Sequence, residues 1–427
     1  MAAHFDIVII GGGAAGLCAA VAAAEVLESA RHPKSVAIVE AGARVGKKLL
    51  ATGNGRCNLT NKNVSPAYYH GDTDCLPSIL KQCTPDEIIR FFYSHGLLCR
   101  EQDEGRVYPF NLQAAAVLDT LRTQLERYRV EVVCDFPVTD VEKNADGFRI
   151  HSEERIISAG EVLFATGGLA YPQLGANGGG YEILQRLGHS CSELLPSLVQ
   201  VKTDARRAKP LKGARSAANA TLLANGKPVK TVRGEVQFTE QGLSGICIFE
   251  LSRSVGERYG KQTLEIELDF MPDYTEREIV DFLHSRTQLG QLPSLELLNG
   301  CLNKLVGPEV VKAALPRVPK AVGELSDREL AVLAHTVKHF HFSVTGTLSW
   351  RDAQVTAGGV PLKEIDETMQ SKICPGLFLA GELLNIDGDC GGFNLHWAWS
   401  TGLIAGRAAA RRLLESQNAI MKSIIID

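Results

Sequence analysis

Three glycines near the amino terminus have the spacing of a phosphate-binding turn. Gly11, Gly13 and Gly16 follow the apolar, β-branched run at 7–10. In a dinucleotide-binding βαβ unit, glycines at these positions permit a tight turn off the strand, close approach of a pyrophosphate and packing of the next helix on the sheet. The amides at the helix start would face the phosphates, with the positive end of the helix dipole behind them.

An acidic residue ends the second predicted strand of this unit. The helix is expected to run through Ala30, and the apolar run at 35–39 leads into Glu40, 24 residues after Gly16. A carboxylate at the end of this strand can accept hydrogen bonds from a ribose, and its charge disfavours a 2′-phosphate. We therefore predict dinucleotide binding, although the fingerprint alone does not separate NAD from FAD.

Composition limits the classes of partner. The 427 residues carry 45 Lys and Arg against 49 Asp and Glu, a formal net charge of −4, which gives no electrostatic footprint for nucleic acid or an acidic membrane. The eleven cysteines include no Cys-x-x-Cys pair, which disfavours a zinc ribbon, an iron–sulfur cluster and a dithiol redox pair. An odd number of cysteines fits reduced thiols. We expect a cytoplasmic protein that acts on a small molecule, with no nucleic acid and no membrane as partner.

The middle of the chain predicts a second, inserted domain. Short β-rich runs are separated by Gly, Pro and Lys, at 199–203, 218–223, 235–239 and 264–268. The pattern is then mostly helical, at 276–283, 294–306, 308–315 and 327–337. We expect residues 1–191 and 361–427 to form the nucleotide-binding domain and 192–360 to form an inserted β-rich plus helical substrate domain.

Further glycine-rich segments identify a family resemblance. A long polar loop with cationic residues follows Glu40 and contains the sequence Thr-Gly-Asn-Gly-Arg-Cys-Asn at 52–58. Near the carboxyl terminus, a further apolar strand ends in Gly381-Glu382, and Gly391-Gly392 opens a helix. With the first glycine turn, these segments resemble the BaiN-like family of bacterial NAD(P)/FAD-dependent oxidoreductases. The resemblance implies an α/β fold, in which a Rossmann-like FAD-binding domain carries the inserted domain.

The resemblance also implies which residues contact FAD. The backbone of Val138 would face the adenine, Glu382 would lie near the ribityl or pyrophosphate oxygens, and the helix that starts after Gly392 would stabilise negative charge on the flavin. The expected FAD-binding residues are Gly11, Gly13, Ala14, Ala15, Gly16, Glu40, Ala41, Arg44, Lys47, Thr52, Gly53, Asn54, Val138, Ala165, Thr166, Gly167, Gly381, Glu382, Gly392, Phe393 and Asn394.

Three histidines near the end of the inserted domain raise the question of a metal site. His335 and His339 are four residues apart and would share one helix face, with His341 close behind. No Asp or Glu accompanies them nearby in the sequence, and they lie where a helix gives way to a strand. We therefore expect no metal here.

The predicted chemistry is that of a flavin enzyme. Substrate-binding candidates near the flavin-facing motifs are Arg56, Asn58, Tyr171 and His396, and no catalytic acid or base is identified. The sequence contains no second nucleotide fold, so NAD(P)H would dock without its own Rossmann domain. The resemblance favours an NAD(P)H-dependent reductase of activated carbon–carbon double bonds in bile-acid or steroid-like substrates. A flavin-dependent oxidase of small amines such as aminoacetone and a non-enzymatic flavin-binding redox protein stay open as alternatives.

Overall fold

The computed structural model describes residues 3–33 and 35–426, with side chains up to residue 416. The strands, in chain order, are β1 (Ala3–Ile10), β2 (Val36–Val39), β3 (Thr60–Asn61), β4 (Tyr69–Gly71), β5 (Cys99–Glu101), β6 (Arg106–Pro109), β7 (Glu131–Val133), β8 (Asp140–Asn144), β9 (Gly147–His151), β10 (Ile156–Phe164), β11 (Leu195–Ser197), β12 (Val201–Thr203), β13 (Arg215–Ala224), β14 (Lys227–Phe238), β15 (Gly242–Ser244), β16 (Leu264–Asp269), β17 (Phe340–Thr347), β18 (Val355–Ala357), β19 (Leu377–Leu379) and β20 (Ile386–Gly388). The helices are α1 (Ala14–Ser29), α2 (Leu76–Gln82), α3 (Pro85–Ser94), α4 (Ala114–Arg127), α5 (Gly179–Arg186), α6 (Ala205–Ala208), α7 (Ile246–Arg258), α8 (Glu276–Thr287), α9 (Val306–Ala314), α10 (Asp327–Lys338) and α11 (Phe393–Ile426).

The chain forms two units. The first unit comprises Met1–Leu194 and Val355–Asp427, and the inserted unit comprises Leu195–Gln354. The boundaries expected from the sequence, at 192 and 360, lie a few residues from these positions.

A largely parallel sheet is the centre of the first unit. Its strand order is β7–β2–β1–β10–β9–β8, with β19 beside β10. β7, β2, β1, β10 and β19 are mutually parallel, whereas β9 and β8 form antiparallel pairs. Ile7, Val8 and Ile9 are completely buried, which explains why the second half of β1, at 7–10, is continuously apolar rather than alternating.

Two helices pack closely beside this sheet. α1 is rich in alanine, and its residues from Ala19 to Ala24 are completely buried. A side chain at Gly402 or Gly406 of α11 would collide with the backbone carbonyls of Ala15 and Ala19, so these glycines allow the two helices to approach closely. Within the described residues, no helix has the length and hydropathy needed to cross a membrane.

The inserted unit is built around a closed antiparallel barrel with strand order β12–β15–β14–β13–β16–β17. A hydrophobic core of its own fills this unit and includes Phe238, Phe340 and Phe342, whose rings lie in contact. Closing the sheet leaves no free edge in these strands.

One expectation about helices in the inserted unit is wrong, and one helix of this unit was not expected. Residues 294–306 form a short 3-10 turn and irregular chain rather than a helix, and α9 begins only at Val306. Asn299-Gly300 interrupts that segment, and Gly300 has a φ of 92°. Conversely, α7 was not predicted, although its buried residues recur at helical spacing, at positions 247, 248, 251, 252 and 255.

Candidate active site

The carboxyl ends of four parallel strands form one edge of the sheet in the first unit. Along this edge Glu40 follows β2, Gly11 follows β1, Ala165 follows β10 and Ala380 follows β19. Ligands of open α/β sheets bind in the crevice at this edge. The structure therefore brings together strand ends that are more than 300 residues apart in the sequence.

The turn after β1 has the space that a pyrophosphate needs. A Cβ atom on Gly11 would lie 2.5 Å from the carbonyl oxygen of Ala165, and one on Gly16 would collide with the carbonyl oxygen of Gly11. A Cβ on Gly13, by contrast, would meet nothing within 4 Å. Gly11 and Gly16 are thus required by the fold, while Gly13 leaves open space at the amino end of α1.

Glu40 is fixed at this turn by backbone amides. Its Oε2 accepts a hydrogen bond from the N–H of Gly12 and its Oε1 accepts one from the N–H of Gly42, both at 2.8 Å. Each carboxylate oxygen can accept a further hydrogen bond. The two amides orient the carboxylate, and its remaining lone pairs are available to ribose hydroxyls.

The loop after Glu40 turns sharply because several residues adopt left-handed conformations. Gly53, Asn54 and Cys57 have φ values of 56°, 55° and 57°. The Thr52 hydroxyl donates to the carbonyl of Leu49 at 2.7 Å, which holds the start of this turn. Arg44, Lys47 and Arg56 are exposed, as are Ala41 and Asn54, so the predicted cations of this loop face solvent.

The end of β10 carries buried polar groups that lack a protein partner. Thr166 follows Ala165, and its buried Oγ1 has no hydrogen-bond partner within the described residues; the same holds for the hydroxyl of Tyr181 in α5. Burial, with the nearby carboxylate of Glu382 as a further cause, raises the pKa of Tyr181 well above its usual value. Buried hydroxyls without partners fit a polar ligand at this place.

Glu382, at the end of β19, forms an ion pair that the sequence did not predict. Its Oε2 lies 2.7 Å from Nζ of Lys48, and its Oε1 accepts a hydrogen bond from the N–H of Thr356 at 2.8 Å. The preceding Gly381 is held by α11, because its N–H donates to the Thr401 hydroxyl at 2.9 Å and its carbonyl accepts from the Trp397 indole at 3.1 Å. Lys48, rather than the exposed Lys47, is the loop lysine that reaches this strand end.

The start of α11 closes on the loop after Glu40. A Cβ on Gly392, whose φ is 100°, would come within 2.8 Å of Asn58 Oδ1 and 2.7 Å of the Thr60 carbonyl. Asn58 Oδ1 is buried and without a partner within the described part of the chain. Both polar atoms of the Asn394 side chain bind the backbone of Gly388: Nδ2 donates to its carbonyl at 2.7 Å, and Oδ1 accepts from its N–H at 2.8 Å. Replacing Gly392 by valine would therefore strain the backbone regardless of any ligand.

His396 lies behind this site rather than in it. The ring is completely buried, with Nδ1 2.8 Å from the Thr60 hydroxyl and Nε2 3.3 Å from the Ser400 hydroxyl. Burial lowers its pKa to about 4. The ring is consequently neutral at neutral pH, and in this arrangement it offers no atom to a substrate.

The remaining candidates take different positions. Val138 is partly buried, and its backbone N–H and C=O make no hydrogen bond within the described residues, as the expected contact with an adenine requires. Tyr171 is half-buried with a φ of 61°. Phe393 is buried and stacks on Tyr68 with ring centroids 4.4 Å apart. The open space at Gly13, the free backbone of Val138 and the unpartnered buried atoms fit an extended dinucleotide along this edge.

The histidines of the inserted unit have carboxylate neighbours after all. Glu276 Oε1 lies 2.9 Å from His335 Nδ1, and Glu267 Oε2 lies 2.8 Å from His339 Nδ1. The absence of an acidic residue nearby in the sequence was therefore a wrong reason to expect no metal, because α8 and β16 bring both carboxylates to this place.

Comparison with known proteins identifies relatives over nearly the whole length. The HI0933-like protein Rossmann domain family matches residues 5–408. The chain is 36% identical over 410 residues to a 3-dehydro-bile acid Δ(4,6)-reductase of Clostridium scindens, with 95% of this chain and 98% of that protein covered. It is 28% identical over 425 residues to a ribosomal RNA dihydrouridine synthase of Haemophilus influenzae, with 96% and 100% covered.

Solved structures share the fold. A 3-ketosteroid Δ4-(5α)-dehydrogenase from Rhodococcus jostii superposes with a TM-score of 0.50 at 15% identity, over 96% of this chain and 97% of that one. A 3-ketosteroid Δ1-dehydrogenase from Sterolibacterium denitrificans gives a TM-score of 0.50 at 12% identity, over 96% and 100%.

Proposed function

We propose that this protein reduces a carbon–carbon double bond conjugated to a carbonyl group. The chain belongs to the HI0933-like protein Rossmann domain family and is an FAD-dependent oxidoreductase. NAD(P)H is the proposed electron donor and a bulky apolar, bile-acid or steroid-like molecule the proposed substrate. The observation that carries the proposal is the 36% identity, over 95% of the chain, to a 3-dehydro-bile acid Δ(4,6)-reductase.

The residues of the sheet edge would hold the cofactor. Bound FAD would supply hydride transfer in such a reaction. The amino end of α1 at Gly13 would face the pyrophosphate, Glu40 would accept hydrogen bonds from the ribose, and the backbone of Val138 would bind the adenine. The Lys48–Glu382 pair would balance charge beside the ligand, since the lysine neutralises a carboxylate that would otherwise repel phosphate oxygens.

The overall reaction balances with one hydride and one proton. NAD(P)H supplies the hydride, which reaches the alkene carbon remote from the carbonyl, and a proton from a protein group or from water goes to the neighbouring carbon. NAD(P)⁺ and the ketone in which that one double bond is reduced are the products. His396 is not the proton donor in this proposal, because it is buried and both of its ring nitrogens are engaged.

A second candidate is reduction of uracil bases in RNA. Relatives that are 28% identical over 96% and 93% of the chain, from Haemophilus influenzae and Escherichia coli, are named ribosomal RNA dihydrouridine synthases. Dihydrouridine differs from uridine by two added hydrogens at a double bond next to a carbonyl, so the chemistry would be of the same kind. The net charge of −4 disfavours a polyanionic substrate, and we keep the small molecule as the proposal.

Anaerobic stopped-flow absorbance tests the proposal. The FAD-loaded protein should lose its flavin absorbance on mixing with NADH or NADPH, faster than free FAD at the same concentration. Mixing the reduced protein with a 3-oxo-Δ4,6 steroid should then restore the colour and yield a product two hydrogens heavier.

Other outcomes of the same experiment would favour the alternatives. Recovery of the flavin colour with unmodified ribosomal RNA but not with the steroid would favour the second candidate. If aminoacetone bleaches the flavin, neither nicotinamide does, and oxygen then restores the colour rapidly, the protein is an amine oxidase and the proposal is wrong. Bleaching by none of the donors would indicate a non-enzymatic flavin protein.

A further inference from the structure

The inserted unit gathers imidazole and carboxylate groups where α8 begins and α10 ends. Glu276 is the first residue of α8, His335 lies in the last turn of α10, and His339 follows that helix directly. Glu276 Oε1 lies 2.9 Å from Nδ1 of His335 and 3.5 Å from Nε2 of His339. One ligand atom from each of the three side chains lies within 4.8 Å of the others, the spacing of a metal-binding group.

A fourth side chain orients one of the rings. Glu267 Oε2 on β16 lies 2.8 Å from Nδ1 of His339 and accepts a hydrogen bond when that nitrogen is protonated. The neutral ring then carries its lone pair on Nε2, which faces the Glu276 carboxylate 3.5 Å away. A positive charge between these two atoms, whether a proton or a metal ion, relieves the repulsion between their lone pairs. A carboxylate behind a ligating histidine is also the usual outer partner of a metal site.

The charges around the cluster favour a cation. Glu265, Glu267 and Glu276 approach the three histidines, and His341 lies 3.3 Å from Glu267 and 3.9 Å from Glu265. Lys338 is close by in sequence, but its ammonium is bound to Asp269 at 2.7 Å and to two backbone carbonyls. The side chains of Glu276, His335 and His339 are 47%, 62% and 36% exposed, so an ion from solvent can reach them.

We propose that Glu276, His335 and His339 bind a divalent first-row transition metal ion of the zinc type. Two imidazoles and a carboxylate are three ligands that suit Zn²⁺, and a water molecule would complete a tetrahedral set. Glu267 is a positioning residue, acting through His339. The ion links the start of α8 to the end of α10 and so stabilises the inserted unit.

Calorimetric titration with ZnCl₂ tests this site. The protein is used full-length, FAD-loaded, free of any histidine tag and stripped of metal with a chelator. Wild type should bind Zn²⁺ at this site, and its thermal unfolding midpoint should rise with the Zn²⁺ concentration. His335→Ala and His339→Ala should each weaken binding by about tenfold or more, and Glu267→Ala by about 10- to 100-fold.

A matched histidine on the same two helices is the control. His284 of α8 is 63% exposed and pairs with Asp327 of α10 at 3.4 Å, at the opposite ends of these helices. Among the described residues, this pair does not belong to a group of three possible metal ligands. His284→Ala should bind Zn²⁺ as wild type does. Equal binding by wild type, His335→Ala and His339→Ala would overturn the proposal, as would the absence of binding in wild type.

Cobalt distinguishes this site from binding by thiols. All eleven cysteines are free, and Cys75 is exposed, so adventitious binding by sulfur must be separated from the proposed site. Co²⁺ bound to nitrogen and oxygen ligands should give a ligand-field spectrum without a thiolate-to-cobalt charge-transfer band, and His339→Ala should abolish it. A spectrum with the charge-transfer band that survives His339→Ala would contradict the assignment.

Discussion

His396 is an example of a residue whose role depends on its surroundings rather than on its type. The sequence placed it beside the flavin-facing motif at the start of α11, and substrate binding was the expectation. In the structure the Thr60 and Ser400 hydroxyls occupy its two nitrogens, and the ring is completely buried. The His396 ring contacts the Thr60 hydroxyl, and the Thr60 carbonyl lies close to Gly392. By holding Thr60, the ring therefore supports the loop and helix that would contact the cofactor.

The buried ring makes stability depend on pH. Burial lowers the folded-state pKa of His396 from 6.5 to about 4, so between these values the unfolded chain binds a proton that the folded chain does not. The free energy of unfolding should therefore fall as the pH decreases from 6.5 to about 4, by up to about 3 kcal/mol. In His396→Gln this slope should be reduced, as measured by urea unfolding at several pH values.

The exposed His284 provides the control for that measurement. His284→Gln makes the same substitution at an exposed ring, so the two variants differ in the burial of the side chain that is replaced. Equal slopes for wild type and His396→Gln would show that burial of this ring does not control the pH dependence.

Residue types alone predicted the parts of the site that depend on local backbone. The glycine turn and the position of Glu40 at the end of β2 could be inferred because both follow from spacing within one βαβ unit. Lys48 and Thr356 could not, because each reaches Glu382 only through the tertiary fold, Lys48 from a position 334 residues away. A cationic loop predicts a lysine near phosphates, but sequence gives no means of choosing Lys48 over its exposed neighbour Lys47.

At the scale of elements, regular periodicity was the reliable signal and turn chemistry the weak one. Strongly patterned helices such as α1 and α10 were predicted with ends that differ by a residue or so from those in the structure. The helix predicted at 294–306 does not form. The apolar residues of this segment lie in turns and are buried there, where helical periodicity is not required. The closed barrel was also not predicted, since strand pairing between β12 and β17 is non-local.

The turn between β1 and α1 allows ligand binding to be separated from folding. Gly13 has a φ of −83° and open space around its missing side chain, so Gly13→Ala should fold normally. If the pyrophosphate lies against this backbone, the added methyl group should lower FAD affinity by about tenfold or more, since one lost contact of about 1.4 kcal/mol has that effect. Fluorescence titration of the stripped protein with FAD measures this change.

A glycine in the inserted unit is the matched control. A Cβ on Gly256 of α7 would make ordinary contacts at 3.7 Å with Leu195, so Gly256→Ala should bind FAD as wild type does. Unchanged FAD affinity in a folded Gly13→Ala protein would place the pyrophosphate elsewhere.

At the scale of the whole molecule, every residue expected to bind FAD belongs to the first unit, although the chain that forms it is interrupted by 195–354. The two ends of the interruption are held together within the first unit itself. The N–H of Ser192 donates to the carbonyl of Gly359, and the N–H of Gly359 donates to the hydroxyl of Ser192, both at 2.9 Å. The inserted unit has its own core and a barrel without free edges.

This arrangement predicts that the first unit can fold and bind FAD alone. When residues 195–354 are replaced by a short Gly-Ser linker, the shortened protein should unfold cooperatively and purify with bound FAD, because loop closure between neighbouring ends costs little. If the inserted unit supplies the substrate contacts, turnover should be lost while the flavin spectrum is retained. The isolated fragment 195–354 should give a dispersed NMR spectrum without flavin. A shortened protein that is folded by circular dichroism but does not take up FAD would show that the inserted unit is required for cofactor binding.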